Sequence, residues 1–435
     1  MMYNTPFFYN STTVDKRKVM SPMREIHATI SVNEIQKLVD WLATFGATND
    51  GGVTRLIYSK EWLLAQQALK QKMIESGMQV YFDGVGNLFG RVEGTQETDS
   101  VILTGSHIDT VVQGGKYDGA YGILASYLAV KRLVERYGQP KKTIEVVSLC
   151  EEEGSRFPLT YWGSKNVMAD YSLKTVEATT DKEGIPFIKA MEEAGFPISA
   201  YKSKKRSDIK HFVEIHIEQG AVLESNCLDI GLVSHIVGQK RFTIFLNGQS
   251  NHAGTTPMTE RKDAMVCAAN AISQLTTLAK KTSSSLRVTT GQIVAKPNVP
   301  NVIAGNVQFT LDVRHHESQV LEQYCDYAMQ LVRSIAKESG IQVAIDKWTD
   351  IDPVALDVVL HDAMKEKLAA KGVKYATMVS GAGHDAQVFG QHLPTTLLFV
   401  PSKNGISHSP LEYTSPEHLE NGVSVLMDYL YRLAY

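Results

Sequence analysis

The sequence predicts an α/β protein. It has a discontinuous domain with helices on both faces of a mixed sheet, interrupted by a smaller inserted domain of ferredoxin-like (βαββαβ) order. Three observations predict this. Strand-like and helix-like segments alternate over the first half of the chain, the pattern of a sheet covered on both sides. Between about 235 and 347 the order changes to strand, helix, strand, strand, helix, strand. Beyond 347 the first pattern resumes, and 435 residues leave room for roughly three compact units.

Helical spacing begins near Ile30 and sets Ile35, Leu38, Val39, Leu42 and Phe45 on one face. A second helix is expected over Lys60–Ser76, then short strands at Gln79–Phe82, Asn87–Val92 and Ser100–Thr104. After the glycine-rich 114–122, a helix is expected over Ile123–Arg136. Thr143–Leu149 (TIEVVSL) reads as a strand buried on both faces. The inserted unit is expected as strand Arg241–Leu246, helix Asp263–Lys280, strands Leu286–Val294 and Val307–Val313, helix Glu317–Ser339 and strand Gln342–Lys347. Helix Val354–Ala370, strands Tyr375–Val379 and Thr395–Val400, and helix Pro416–Leu433 close the first domain. The expected boundaries are therefore a polar tail at 1–27, one domain from 28–234 and 348–435, and an insertion at 235–347.

Composition narrows the function classes. A chain with 43% hydrophobic and 21% charged residues is not mostly disordered. Lys plus Arg number 44 against 47 Asp plus Glu, a balance unlike the basic excess of a dedicated nucleic-acid binder. No run of 18 apolar residues predicts a membrane span. The N-terminal segment lacks a basic stretch followed by a long apolar one, so no secretory signal is expected. Cys150, Cys227, Cys267 and Cys325 form no C-x-x-C pair and read as reduced thiols of a cytoplasmic protein. The basic run Lys202–Arg206 reads first as a solvated loop and second as an anion site.

Four segments carry chemistry. In TGSHIDTVVQGGKYDG (104–119) a strand ends in small residues, then offers His107, Asp109 and Asp118. Imidazole and carboxylate together suit zinc, manganese, cobalt or nickel. Asp109 stands close enough to His107 to accept its second ring N–H and fix the tautomer. A lone histidine at a strand end is more often structural, but two aspartates and flanking glycines favour a ligand here. Next, Glu151, Glu152 and Glu153 follow the buried-type strand, at the end where open α/β sheets place their sites. Neighbouring acids can divide labour, one binding a cation and another taking a proton from water. EIHIEQG (214–220) adds His216 at the end of an alternating strand, and NGISHSP (404–410) adds His408. Five such groups suit a pair of ions sharing one carboxylate.

HIDTVVQGGKYDG, EEEGSRFP, HIEQG, NHAGTTPM and GISHSP, in this order, resemble the M20 metallopeptidase family. They resemble its amidase branch in particular, whose members hydrolyse N-carbamoyl-L-amino acids, β-ureido acids and allantoate. The resemblance runs from about Ile30 to Tyr435. GGVTRLIYSKEWL, EEEGSRFPLTYWGSKN and SGAGHDAQ are most similar to the bacterial allantoate-hydrolysing members. It implies two divalent ions per subunit, Mn2+ or Zn2+ with Co2+ or Ni2+ as alternatives. His107 and His216 would bind the first ion, Glu153 and His408 the second, and Asp118 would bridge them. Glu152 would be the general base, with Asp109 orienting His107 and Glu151 a spectator.

The resemblance also implies that the insertion is a lid and dimerisation domain of a homodimer. His252 would then reach the neighbouring subunit's site and stabilise a developing oxyanion. Asn301 and Arg314 would bind a substrate carboxylate, the task for which a planar guanidinium is suited. Gln219 and the Gly381–His384 loop, with Gly383 and His384, would line the pocket. The implied reaction is hydrolysis of a ureido C–N bond in a small ureido acid. Allantoate is the expected substrate and an N-carbamoyl-L-amino acid the alternative. A non-catalytic binding protein on the same fold is the remote third reading; it would be expected to have lost a ligand or the base.

Overall fold

Two sheets organise the chain in a computed structural model that describes residues 34–435. The polar tail expected at 1–27, and the first turn of the helix begun near Ile30, lie outside the described residues. The strands are β1 (Gln79–Phe82), β2 (Leu88–Val92), β3 (Glu97–His107), β4 (Lys142–Leu149), β5 (Ile209–Ile217), β6 (Ile230–Ile236) and β7 (Gly238–Asn247). They continue as β8 (Arg287–Thr289), β9 (Ile293–Lys296), β10 (Asn306–His315), β11 (Gln342–Ile351), β12 (Val354–Ala355), β13 (Tyr375–Ser380) and β14 (Thr395–Val400).

The larger sheet has nine strands in the order β1-β2-β4-β3-β5-β14-β6-β12, with β13 also paired to β6. Its centre, β4-β3-β5-β14, is parallel, and antiparallel pairs flank it on both sides. Alternate residues of these central strands enter two cores. Ile102, Val146, Ile215 and Leu398 pack with Leu124, Leu128, Leu426 and Tyr429 of helices Ala120–Tyr137 and Pro416–Ala434. Leu103, Val147, Phe212 and Leu397 pack on the other face with Val167, Met168 and Phe389. Leu426 is fully buried, so truncating it to Ala would cost about 2–5 kcal/mol.

β5, expected as an alternating strand, is buried on both faces: every residue except Lys210 is buried, because β3 and β14 flank it and helices cover both sides. Glu145 sits inside buried β4 and is compensated by Arg91 at 3.0 Å and Arg206 at 2.9 Å. Arg206, the end of the basic run, is therefore a structural cation and not part of a solvated loop.

The smaller sheet is antiparallel, in the order β11-β7-β10-β8, with β9 also on β10. Helices Ala264–Thr282 and Ser318–Glu338 bury Leu275, Ala328 and Val332 against Ile244, Phe309 and Leu311. The chain enters this sheet through Val237 and leaves it at Asp352 and Pro353. The single strand expected over Leu286–Val294 is broken into β8 and β9, with Thr290, Gly291 and Gln292 at the break. β6 and the short helices Trp162–Met168 and Phe187–Glu193 were not foreseen, since each is too short to show a clear period. All four cysteines are free, and among the described residues no helix is long and apolar enough to cross a membrane.

Candidate active site at the carboxyl ends of the parallel strands

The four central parallel strands deliver their carboxyl ends to one place. His107 is the last residue of β3 and pairs with Leu149 of β4, after which the chain runs into Glu151–Glu153. Thr104 pairs with Val213, and continuing that register brings His107 beside His216, whose rings stack with centroids 5.8 Å apart. β14 leads through a loop to His408. Asp118 lies just before helix Ala120–Tyr137 and is buried. The turn needs Gly119: its φ is +62°, and a Cβ there would stand 2.4 Å from His107 Cε1.

Asp118 divides its two carboxylate oxygens. Oδ1 faces His107 Nε2 at 3.5 Å and His216 Nε2 at 3.1 Å. Oδ2 faces His408 Nε2 at 3.2 Å, and His408 Nε2 lies 3.5 Å from Glu153 Oε1. Ligand atoms each ~2.1 Å from one ion at the tetrahedral angle would stand ~3.4 Å apart, so these separations fit coordination. The set {His107, Asp118, His216} and the set {Asp118, Glu153, His408} each bring their ligand atoms within 4.8 Å of one another. The outer ring nitrogens are fixed: His107 Nδ1 lies 3.1 Å from the Asp109 carbonyl, and His216 Nδ1 lies 2.9 Å from the Ile217 carbonyl. Both rings therefore aim Nε2 inward. The donor types, their spacing and the orientation of the rings all fit a pair of divalent ions.

The acidic run is held by its main chain. Asp109 Oδ1 accepts the Glu152 amide at 3.0 Å and Oδ2 the Glu153 amide at 3.1 Å. Glu151 is buried, and its Oε1 accepts the Gly154 amide at 2.6 Å. Burial, then the neighbouring Asp109, holds its carboxyl well above the usual range. Glu151 is thus a built-in part of the turn. Burial likewise holds Glu152 well above the usual range and lifts Glu153 to about 7.

Comparison with known proteins places the chain. Residues 103–432 match the model of peptidase family M20/M25/M40. The chain belongs to this family. It is 51% identical over 403 residues to an allantoate amidohydrolase of Bacillus subtilis (strain 168), covering 93% of this chain and 98% of that one. It is 45% identical to an allantoate amidohydrolase of Escherichia coli (strain K12), covering 92% and 98%. A solved structure of a hydantoinase/carbamoylase-family amidase from Burkholderia multivorans superposes with a TM-score of 0.86 at 31% identity, covering 93% and 98%.

In this M20 chain the cluster opens into a cleft of about 350 Å3. Asp118, Glu152, Glu153, His216 and His408 line one side, and Gln239, Arg241 and Arg314 of the smaller sheet line the other. Arg314 donates from Nη1 to the Gly381 carbonyl at 2.9 Å, so the two sheets touch at the cleft mouth. Gly383 and His384 also line it. A Cβ at Gly383 would stand 1.8 Å from the Tyr161 hydroxyl, so this close approach requires glycine. Gln219 spends its amide on the cluster itself, donating to Asp118 Oδ2 at 2.9 Å. His252 and Asn301 do not line the cleft. They sit together elsewhere on the smaller unit, where Ala253 N–H donates to the Asn301 carbonyl at 3.1 Å.

Sequence reasoning missed several members. Buried Glu412 accepts the Tyr117 and Asp118 amides at 2.9 and 3.1 Å and takes the Ser407 hydroxyl at 2.7 Å. It thereby ties the Asp118 turn to the His408 loop. Buried Glu214 accepts the Ser106 hydroxyl at 2.6 Å and the Ala386 amide at 2.9 Å, behind His216. Only the position of Glu214 two residues before His216 could have drawn attention to it. Glu412 carries no local signal beyond lying near His408.

Proposed function

We propose that this chain is a metal-dependent amidohydrolase that cleaves a ureido C–N bond of allantoate. One observation carries the chemistry: the Asp118 cluster and the Arg314 guanidinium face each other across a single cleft. Such a cleft suits a small acid whose carboxylate lies at one end and whose hydrolysable carbonyl lies at the other. The two allantoate amidohydrolases at 51% and 45% identity support the choice of allantoate.

His107, Asp118 and His216 would hold one divalent ion and Asp118, Glu153 and His408 a second, with Mn2+ and Zn2+ both suited to these donors. When bound, the ions polarise a carbonyl and make water more acidic. The chain's own residues do the rest. Arg314 grips the substrate carboxylate and fixes its approach. Glu152, whose raised proton affinity suits a general base, takes a proton from the attacking water. It then returns that proton to the departing nitrogen. One water is consumed: this first C–N cleavage releases ammonia and leaves a carbamate, which then loses carbon dioxide to give ureidoglycine. Asp109 keeps His107 in the ligating tautomer and Glu152 at the cleft wall.

The reading extends to assembly. Residues 235–347 form a lid and dimerisation domain inserted into a catalytic domain of 28–234 and 348–435, and the protein works as a homodimer in the cytoplasm. His252 and Asn301, outside their own cleft, complete the site of the neighbouring subunit. There His252 stabilises the oxyanion and Asn301 joins Arg314 on the carboxylate.

Ammonia release from allantoate, measured beside a panel of N-carbamoyl-L-amino acids, tests the function. Preference for an N-carbamoyl-L-amino acid, or no turnover of allantoate, overturns the substrate. Glu152→Gln should abolish turnover with metal content near that of the wild type; loss of metal instead would make Glu152 a ligand.

A further inference from the structure

Ser407 stands between two carboxylates. Its Oγ lies 2.7 Å from Glu412 Oε2 and 3.2 Å from Asp118 Oδ2. A serine hydroxyl carries a single hydrogen, so it serves only one of them at a time. The Glu412 contact has the length of a hydroxyl bound to a carboxylate, whereas the Asp118 contact is longer than hydroxyl bonds usually are. The hydroxyl therefore belongs to Glu412.

Glu412 is built to hold it. The side chain is buried, and its other oxygen is pinned by the Tyr117 and Asp118 amides at 2.9 and 3.1 Å. Gly115 makes the room: a Cβ there would stand 2.1 Å from Glu412 Oε1. The Glu412 amide closes the turn by donating to the Ser409 carbonyl at 3.0 Å, next to His408.

Asp118 Oδ2, the oxygen that Ser407 is denied, has little to spare. A carboxylate oxygen offers two lone pairs. One accepts the Gln219 amide at 2.9 Å. The other is left for an ion shared with Glu153 and with His408, whose Nε2 lies 3.2 Å away. A hydroxyl donated to the same oxygen would compete for that remaining pair.

Resting on the two-ion reading of the cluster, we propose that Glu412 is a positioning residue that holds the Ser407 hydroxyl away from Asp118 Oδ2, and so keeps one lone pair of the bridging carboxylate open for the ion on the Glu153–His408 side.

Glu412→Gln tests this with little change of shape. The carboxamide oxygen still accepts both amides, but the new NH2 donates into Ser407 Oγ and turns the hydroxyl onto Asp118. The lost charge acts on both ions alike, whereas the turned hydroxyl acts on one. Calorimetric titration of the metal-free full chain with Mn2+ reads the two binding events, and His408→Ala marks which of them belongs to the His408 side. Glu412→Gln should weaken that event ~10–100-fold and the other less than ~3-fold. Ser407→Ala, which removes the competing hydroxyl, should leave both events within ~3-fold of the wild type, and combined with Glu412→Gln it should restore the lost affinity. Equal weakening of both events, or a loss that Ser407→Ala does not restore, would make Glu412 only a prop of the turn and overturn the proposal. So would a weakened His408-side event in Ser407→Ala alone, a result that stands even where Glu412→Gln fails to fold. Wild-type protein that binds fewer than two Mn2+ per chain is a separate result: it removes the two-ion reading itself, and this inference with it.

Discussion

The Asp109 carboxylate reaches from the end of β3 and accepts the main-chain amide of Glu152 at 3.0 Å. Its second oxygen takes the Glu153 amide, and its Oδ1 lies 3.3 Å from His107 Nδ1. One side chain therefore orients a ligand-type imidazole and the acidic turn together. Asp109→Asn would put an amide N–H against a backbone N–H or against the ring. Loss of ~10–100-fold in divalent-ion affinity is expected, with kcat falling even at saturating metal. Metal titration followed by kinetics in excess metal separates the two effects; unchanged metal affinity would contradict this role for Asp109.

Metal binding should release protons. Hydrogen bonding to Asp118 pushes His408 up to about 9, so below that pH the ring holds a proton that a ligand must give up. Apparent affinity for the ion should therefore rise with pH, approaching tenfold per unit, and level off above about 9. Glu153, lifted to about 7 by burial, steepens the slope at acidic pH. Calorimetric titration in buffers of different ionisation enthalpy reads the proton count directly. His408→Ala should flatten the slope between pH 7 and 9, and an unchanged slope would exclude His408 as its source.

Gly119→Ala should damage the cluster from outside the ligand set. The new Cβ meets His107 Cε1 and the His107 carbonyl, both at 2.4 Å, in a left-handed backbone. A cost of about 1–3 kcal/mol in stability is expected, with weaker metal retention, because the imidazole must swing away. Thermal unfolding and metal content after dialysis check this; a normal melting temperature with full metal content would contradict the packing.

Arg314→Lys should raise KM for allantoate by ~10–100-fold and leave kcat less affected. The lysine keeps a charge but cannot span Asp312 and the Gly381 carbonyl while also presenting a fork. Steady-state kinetics decide it. A fall confined to kcat would move Arg314 from substrate binding to the chemical step.

Much of this was legible along the chain. TIEVVSL announced a core strand, and the central parallel strands end in chemistry-bearing residues. His107, Asp118, Glu153, His216 and His408 stood out because imidazoles and carboxylates followed apolar segments and small residues. Glu412, Glu214 and Asp312 did not stand out. Each is an ordinary acid in its own neighbourhood, and its importance comes from groups up to 295 positions away, as for Glu412 and Tyr117. Arg206 misled for the same reason: its partner Glu145 lies on β4, far away in sequence.

The sequence by itself determined where the longer strands and helices form and which side chains could ligate a metal, because those follow from local periodicity, turn residues and side-chain type. Tertiary structure alone decided that β4, β3, β5 and β14 lie side by side with carboxyl ends together, that Asp118 turns one oxygen to each histidine set, and that Arg241 and Arg314 share Asp312 on the smaller sheet that walls the cleft. Strand order and register are set by which faces can be buried together, and that is a property of the whole core rather than of any segment.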